Sequence, residues 1–248
     1  MDLGLKDRVA IVTGAGRGLG HAIATALAEE GVTVVGTART RNGLDAVDAI
    51  ADHTIGVEFD ARDPDGATAL VDSALDRAGR VDIVVNNAGI APTGTLETQG
   101  LAALRDVLEV NLMTPVALAL AALPAFRAAG GGRIVNIAST AALRAQRTVA
   151  AYSASKAALL RVTEALAVEL APDGVRVNAL ALGAFATGMQ GDLLTDPEQY
   201  ARRTRRITVQ RMGDPAEVGS FVAYLVSPHG DFLTGTTYVL DGGESARL

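Results

Sequence analysis

Short runs of β-branched and other apolar residues alternate along this chain with longer segments, rich in alanine and leucine, whose apolar positions recur at helical spacing. The runs RVAIVT (8–13), TVVGTA (33–38), GVEFD (56–60), VDIVVNN (81–87), GRIVNIAS (132–139), VRVNALAL (175–182) and TTYVLDG (236–242) predict strands. Segments 18–30, 42–51, 64–78, 100–128, 151–171 and 214–227 predict helices. Strands that are apolar nearly throughout belong in a parallel sheet covered on both faces, and their alternation with helices gives βαβ units. The pattern therefore predicts an α/β fold of Rossmann type, a single domain over 1–248, with a doubly wound parallel sheet of about seven strands and helices on both faces. Asp63 with Pro64, and Asp214 with Pro215, read as N-caps followed by first-turn prolines, while Gly31 and Gly79 read as C-terminal stops. The longest stretch without a strand, Gly183 to Gly213, would lie beyond the carboxyl end of a strand, where such folds bind ligands, and is expected to form a substrate lid.

Composition excludes several classes. Hydrophobic residues make up 49% and charged residues 20%, which is ordinary for a folded chain and too apolar for disorder. With a net charge of −6, no overall positive field draws the protein to nucleic acid or to an anionic membrane, so neither partner is expected. The absence of cysteine rules out disulfides and thiolate metal sites, and no metal is expected. The start MDLGLKDRVA lacks signal-peptide architecture, and Gly, Pro or charge interrupts each apolar run before membrane-spanning length; a cytoplasmic location is expected.

Two stretches carry candidate chemistry. The first strand runs into TGAGRGLG (13–20) and then the helix HAIATALAEE, which places Gly14, Gly18 and Gly20 in a G-x-x-x-G-x-G loop at a helix start. Glycines let backbone N–H groups approach a pyrophosphate, and the helix N-terminus adds partial positive charge, so Gly14, Arg17, Gly18, Leu19 and Gly20 form a candidate dinucleotide cradle; the alternative is a tight turn without a ligand. Strand two ends GTARTR, with no acid for a ribose 2′-hydroxyl. Arg39, with Arg17 as a second cation, instead suits a 2′-phosphate, which favours NADP(H) over NAD(H); otherwise Arg39 and Arg41 are solvated surface charges. The second stretch is AYSASKAALL (151–160), where Tyr152 and Lys156 leave the same face of a helix. A free phenol, with pKa about 10, is a poor base at neutral pH, and a nearby ammonium lowers that pKa by favouring the phenolate. The plainer alternative is a packed tyrosine beside a lysine whose stem lies along apolar surface.

Taken together, TGAGRGLG, NNAG (86–89), Asn111 in EVNL, Ser139 and YSASK resemble the short-chain dehydrogenase/reductase family, and the resemblance covers the whole chain. It implies interconversion of a ketone and a secondary alcohol with a nicotinamide cofactor. It implies Tyr152 as the proton-transferring group, Lys156 as the residue that tunes it and meets the nicotinamide ribose, and Ser139 as a donor to the substrate oxygen. By the same resemblance Asn111 holds a water that links Lys156 to solvent, Asn87, Ala88 and Gly89 wall the adenine ribose, and Asp60, followed by Ala61, meets the adenine amine; the alternatives are a helix-interior amide with a local partner for Asn111 and a helix N-terminal acid for Asp60. Gly183 and Thr187 match the family's nicotinamide-side loop, with the threonine as a carboxamide partner, but Leu182 stands where the family usually has proline.

Substrate choice would rest on residues 140–150 and the lid. Reduction of a 3-oxoacyl thioester, with acyl carrier protein as partner, competes with oxidation or reduction of a sugar acid or polyol, which GAFATGM, DPEQY and QRMGDPAEV resemble. Arg202, Arg203, Arg205 and Arg206 are expected as a solvated helix face, the alternatives being contact with an acidic carrier or an anionic substrate. Against the carrier, the helix after YSASK offers only Arg161, and Val168 sits where many carrier-dependent members have arginine. A dinucleotide-binding regulator without turnover would have no need of Ser139, Tyr152 and Lys156 together. Segments 100–128 and 151–171 are apolar over more than one face and predict packing against partner copies, as in the family's homotetramers.

Overall fold

The computed structural model describes residues 2–144, 146–188, 191 and 194–247. In chain order the elements are β1 (Val9–Val12), α1 (Gly18–Glu29), β2 (Thr33–Ala38), α2 (Arg41–Asp48), β3 (Thr54–Glu58), α3 (Gly66–Ala78), β4 (Ile83–Asn86), α4 (Leu96–Leu108), a π-helical turn (Glu109–Met113), α5 (Thr114–Ala129), β5 (Gly132–Ser139), α6 (Ala150–Leu170), β6 (Val175–Leu182), α7 (Pro197–Thr204), α8 (Pro215–Val226) and β7 (Thr237–Leu240). The seven strands form one parallel sheet in the order β3-β2-β1-β4-β5-β6-β7. Winding runs outward from β1 to β3 and then restarts at β4 on the other side of β1, which opens a crevice at the carboxyl ends of β1 and β4.

The five inner strands are largely buried on both faces because helices cover both, while the edge strands β3 and β7 are only partly buried. On one side α1 and α8 pack over Val12, Val34, Val85 and Leu180; on the other α3, α5 and the end of α6 pack over Ile11, Val35, Val84 and Val177. Helices α1 and α8 meet so closely that a Cβ on Gly219 would lie 2.6 Å from the Ala22 carbonyl oxygen. At the amino edge of the sheet, far from the crevice, buried Asp82 accepts from Arg80, Arg8 and the Val9 amide. Burial alone would raise this carboxyl, but those bonds hold it below the usual carboxylate range.

Three expectations need correction. Asp63 does not cap a helix at Pro64; its carboxylate accepts from the Asp65 amide in a local turn, and α3 starts only at Gly66. Asp214 does cap α8, in a reciprocal box with Glu217. The segment 100–128 is not one regular helix: it begins at Leu96, where Thr95 caps it, and a π turn divides it at Glu109–Met113. The whole run Leu96–Ala129 is, by length and composition, apolar enough to cross a membrane, contrary to the expectation that no run would be. Its apolarity has a local use, because Leu118, Ala119, Ala122 and Phe126 are buried against the sheet.

Candidate active site

The loop after β1 is shaped by what its glycines permit. Gly14 and Gly18 have φ of 68° and 58°, in the left-handed region that side chains disfavour, and a Cβ on Gly20 would sit 2.2 Å from the Gly14 carbonyl oxygen. Thr13 and Asn87 tie this loop to the end of β4. The Thr13 hydroxyl accepts from the Asn87 and Ala88 amides at 2.9 and 3.0 Å, and Asn87 Nδ2 donates to the Thr13 and Gly14 carbonyls at 2.8 and 3.3 Å. From β2, the Thr37 hydroxyl accepts from the Gly14 amide at 3.1 Å. Thr13 and Thr37 were not among the expected site residues; their only signal was a threonine at each strand end flanking the loop.

Helix α1 begins at Gly18, and its N-cap, Arg17, offers no side-chain acceptor, so the first-turn N–H groups face the loop without a cap. Leu19 packs partly against the core, and Gly18 lies within van der Waals reach of Thr187, whose Cβ would be 3.6 Å from an added Cβ. Arg17 and Arg39 are exposed, and neither side chain has an ion pair or hydrogen bond among the described residues. An unsubstituted cradle, uncapped amides and unpaired cations together fit the pyrophosphate of a dinucleotide. Asp60 is half-exposed and accepts from the Arg62 amide at 3.0 Å, while the Ala61 carbonyl accepts from Thr114 Oγ1 at 2.5 Å.

The second half of the site lies where β5, α6 and the π turn meet. A Cβ on Gly89 would be 3.1 Å from Asn111 Oδ1 and 3.6 Å from Lys156 Nζ, so Gly89, Asn111 and Lys156 converge. The π turn carries Asn111 into the core, fully buried: Oδ1 accepts from the Ile90 amide at 2.9 Å, and Nδ2 donates to the Ile90 carbonyl at 2.9 Å and to Ser155 Oγ at 3.1 Å. Both amide protons are thereby committed, which leaves a second Oδ1 lone pair for the water the resemblance implies. Ser155, in turn donating to the Tyr152 carbonyl at 2.7 Å, links this amide to α6 and was not foreseen.

Lys156 is buried, donates to the Ile137 carbonyl at 2.7 Å and lies 6.0 Å from the Tyr152 ring centre. Burial lowers its ammonium to about 8. Desolvation is also the largest influence on Tyr152 and raises its hydroxyl above the ordinary phenol value, and the Ser139 side chain offsets part of the rise. The expected lowering of the phenol by Lys156 is not seen: the lysine engages a backbone carbonyl, and the Tyr152 hydroxyl lies above its ordinary value, with Ser139 offsetting only part of the rise. Ser139 Oγ also accepts from the Ala141 amide at 3.1 Å. Leu182, in the usual proline position, ends β6 in register with Ser139 and Leu240; the next residue, Gly183, donates to the Leu240 carbonyl and has no room for a Cβ against Asp241.

The span 183–213, expected as a lid, contains an isolated bridge between Phe185 and Gly213 and the helix α7; its residues 189, 190, 192 and 193 lie outside the described residues, as does 145 in the 140–150 loop. The arginines at its far end are not simply a solvated helix face. Arg203 forms a two-pronged, half-buried bond with Glu244 at 2.8 and 2.7 Å, while Arg205 and Arg206 lie beyond the end of α7.

A crevice at the carboxyl edge of a doubly wound sheet, with a dinucleotide cradle beside a Ser–Tyr pair and a buried lysine, defines an alcohol–ketone oxidoreductase. A family model for enoyl-(acyl carrier protein) reductases matches residues 14–245. The chain is 36% identical over 242 residues to the 3-oxoacyl-[acyl-carrier-protein] reductase of Vibrio cholerae, covering 97% of this chain and 98% of that one. It is also 36% identical to the cis-4-hydroxycyclohexanecarboxylate dehydrogenase of Sinomonas cyclohexanicum, over 97% of both chains. A crystal structure from Beutenbergia cavernae described as an NAD(P)-dependent gluconate 5-dehydrogenase, with NADP bound at low occupancy, superposes with a TM-score of 0.92 at 38% identity over 100% of both chains. The chain belongs to the short-chain dehydrogenase/reductase family and is an oxidoreductase acting on alcohol or ketone substrates.

Proposed function

We propose that the protein is an NADP(H)-dependent enzyme that reduces the ketone of a 3-oxoacyl thioester, with Tyr152 as the proton donor. The observation that carries this reading is the half-buried Tyr152 hydroxyl, raised by desolvation and lowered only in part by the Ser139 side chain, on the same helix as a lysine held at about 8. A phenol kept protonated at neutral pH is poised to give a proton to an oxygen that gains negative charge, which is the requirement of reduction. Ser139 orients that oxygen and donates to it. Lys156, cationic at neutral pH, holds Ile137 O and meets the nicotinamide ribose, and Asn111 fixes the segment around Ile90 and Ser155.

NADP(H) would be held by Gly14, Gly18, Leu19 and Gly20 at the pyrophosphate, Arg17 and Arg39 at the 2′-phosphate, Asp60, Ala61 and Asn87 to Gly89 at the adenosine, and Gly183 and Thr187 at the carboxamide. When bound, it supplies hydride to the substrate carbon or removes it. The unpaired state of both arginines supports the phosphorylated cofactor. Residues 183–213 act as the substrate lid. Exposed large apolar side chains support a homotetramer: Met113, Leu120 and Val168 are 51%, 55% and 77% exposed, and Tyr224, Phe232 and Val239 are exposed as well.

A second reading, a sugar-acid or polyol dehydrogenase, is favoured by the full-length likeness to the NADP-bearing gluconate 5-dehydrogenase structure. Following nicotinamide absorbance with NADPH against 3-oxoacyl thioesters, diketones and keto-sugar acids, and with NADP+ against aldonic acids, decides between them. Preferential turnover of 3-oxoacyl thioesters is expected; turnover of sugar acids alone would transfer the assignment to the second reading. A monomeric mass by light scattering would count against the tetramer.

A further inference from the structure

Six arginines line one open cavity of about 820 Å³ in a chain whose net charge is −6. The cavity lies over the ends of β5, β6 and β7. Its wall includes Thr140, which follows Ser139 and donates to the Leu182 carbonyl, and Asp241, which follows β7 and packs on Gly183. Three distant segments bring the cations together: Arg144 and Arg147 from the loop after β5, Arg203, Arg205 and Arg206 from the end of α7 and the turn beyond it, and Arg247 from the C-terminal segment.

Two lining acids oppose them, and both are already engaged. Glu244 is held by the fork of Arg203, and Asp241 accepts from the Gly243 and Ser245 amides. Arg144 donates to the Ser245 and Arg247 carbonyls, and Arg247 to the Arg205 carbonyl, so these two fasten the wall. The guanidiniums of Arg147 and Arg206 have no hydrogen bond or ion pair among the described residues. Like charges gathered around one recess repel each other, and an oxyanion that several planar forks can grip relieves that repulsion.

We propose that this cavity binds a multiply charged oxyanion, of phosphate kind, carried by the non-reacting end of the substrate, with Arg147 and Arg206 as its principal contacts. The proposal rests on reading Ser139 and Tyr152 as the reacting centre, to which Thr140 joins the cavity. A recess, rather than a raised surface, suits a small molecule better than the face of an acidic protein.

The direct test titrates inorganic pyrophosphate into the protein by calorimetry with NADP+ saturating, so that the glycine loop is already filled. Saturable binding that weakens as NaCl is raised is expected, together with a loss of about tenfold in affinity for the double variant Arg147→Gln, Arg206→Gln and partial recovery with Arg206→Lys. Unfolding midpoints and NADP+ affinity check that the variants fold; if they do not, the wild-type competition decides. In that assay pyrophosphate should compete with a 3-oxoacyl-coenzyme A substrate but not with the matching uncharged thioester. The proposal is overturned by absence of binding at NADP+ saturation, by unchanged affinity in the folded double variant, by non-competitive inhibition, or by competition from intact acyl carrier protein with none from pyrophosphate. Equal turnover of charged and uncharged thioesters would sink the anion site alone. Absence of turnover with every carbonyl would sink the enzyme reading, and the calorimetric titration would still judge the cavity.

Discussion

Lys156 makes a measurable link between pH and folding. Its ammonium titrates at 10.5 in an unfolded chain and at about 8 in the folded one, because burial penalises the charged form. Below both values each state holds the proton and the folded protein carries the full penalty of the buried charge. Between them the unfolded chain binds the proton more tightly than the folded one, so raising the pH stabilises the fold; above both the effect is complete. The full difference amounts to about 3 kcal/mol, of which about 1 kcal/mol is gained between about pH 7 and 9. With a urea m-value of about 2 kcal/mol per molar, the unfolding midpoint of the cofactor-free enzyme should rise by about half a molar over that interval. Lys156→Met removes the titrating group while keeping an apolar stem, so its midpoint should lack that rise, whatever its absolute stability after Ile137 O loses its partner. Measuring both proteins side by side cancels the other groups. Equal pH slopes in the two, or a wild-type midpoint that falls as pH rises, would refute a buried, depressed lysine.

Tyr152→Phe should lower kcat by about 10²- to 10⁴-fold, the usual contribution of a positioned acid, while NADPH still quenches or shifts fluorescence on binding. Arg39→Ala should reduce the preference for NADPH over NADH by about tenfold, read as the ratio of kcat/KM values, because one charge-assisted contact to the extra phosphate is lost. Gly20→Ala should destabilise the fold by about 1 to 3 kcal/mol and abolish cofactor binding, since the new methyl would meet the Gly14 carbonyl oxygen and Asn87 Nδ2; a thermal melt and an NADPH titration report the two effects.

The strands and the glycine loop were legible because their signals are local. Thr33–Ala38, Gly132–Ser139 and Val175–Leu182 form strands over the same residues that the apolar runs mark, and Gly14, Gly18 and Gly20 stand where backbone geometry demands them. What escaped depends on distant partners. The π turn is tied to Ile90 and Ser155, which no periodicity around Asn111 encodes. Thr13 and Thr37 are ordinary strand residues until β4 and the glycine loop close around their hydroxyls. Lys156 could be placed beside Tyr152 from helical spacing, but its carbonyl partner comes from β5. The arginine cavity needs segments about a hundred residues apart, so only Arg203, Arg205 and Arg206, within the run that also holds Arg202, were visible as a cluster.

The π turn at Glu109–Met113 also sets the rotational phase of everything downstream of it. An α-helix turns by about 100° per residue, so excising one position there would swing Leu118, Ala122 and Phe126 away from the sheet while withdrawing the Asn111 amide from Ile90. The insertion that serves the reaction centre is therefore locked in by the hydrophobic register of α5, and mutational drift cannot straighten the helix without unseating half of the molecule's interior.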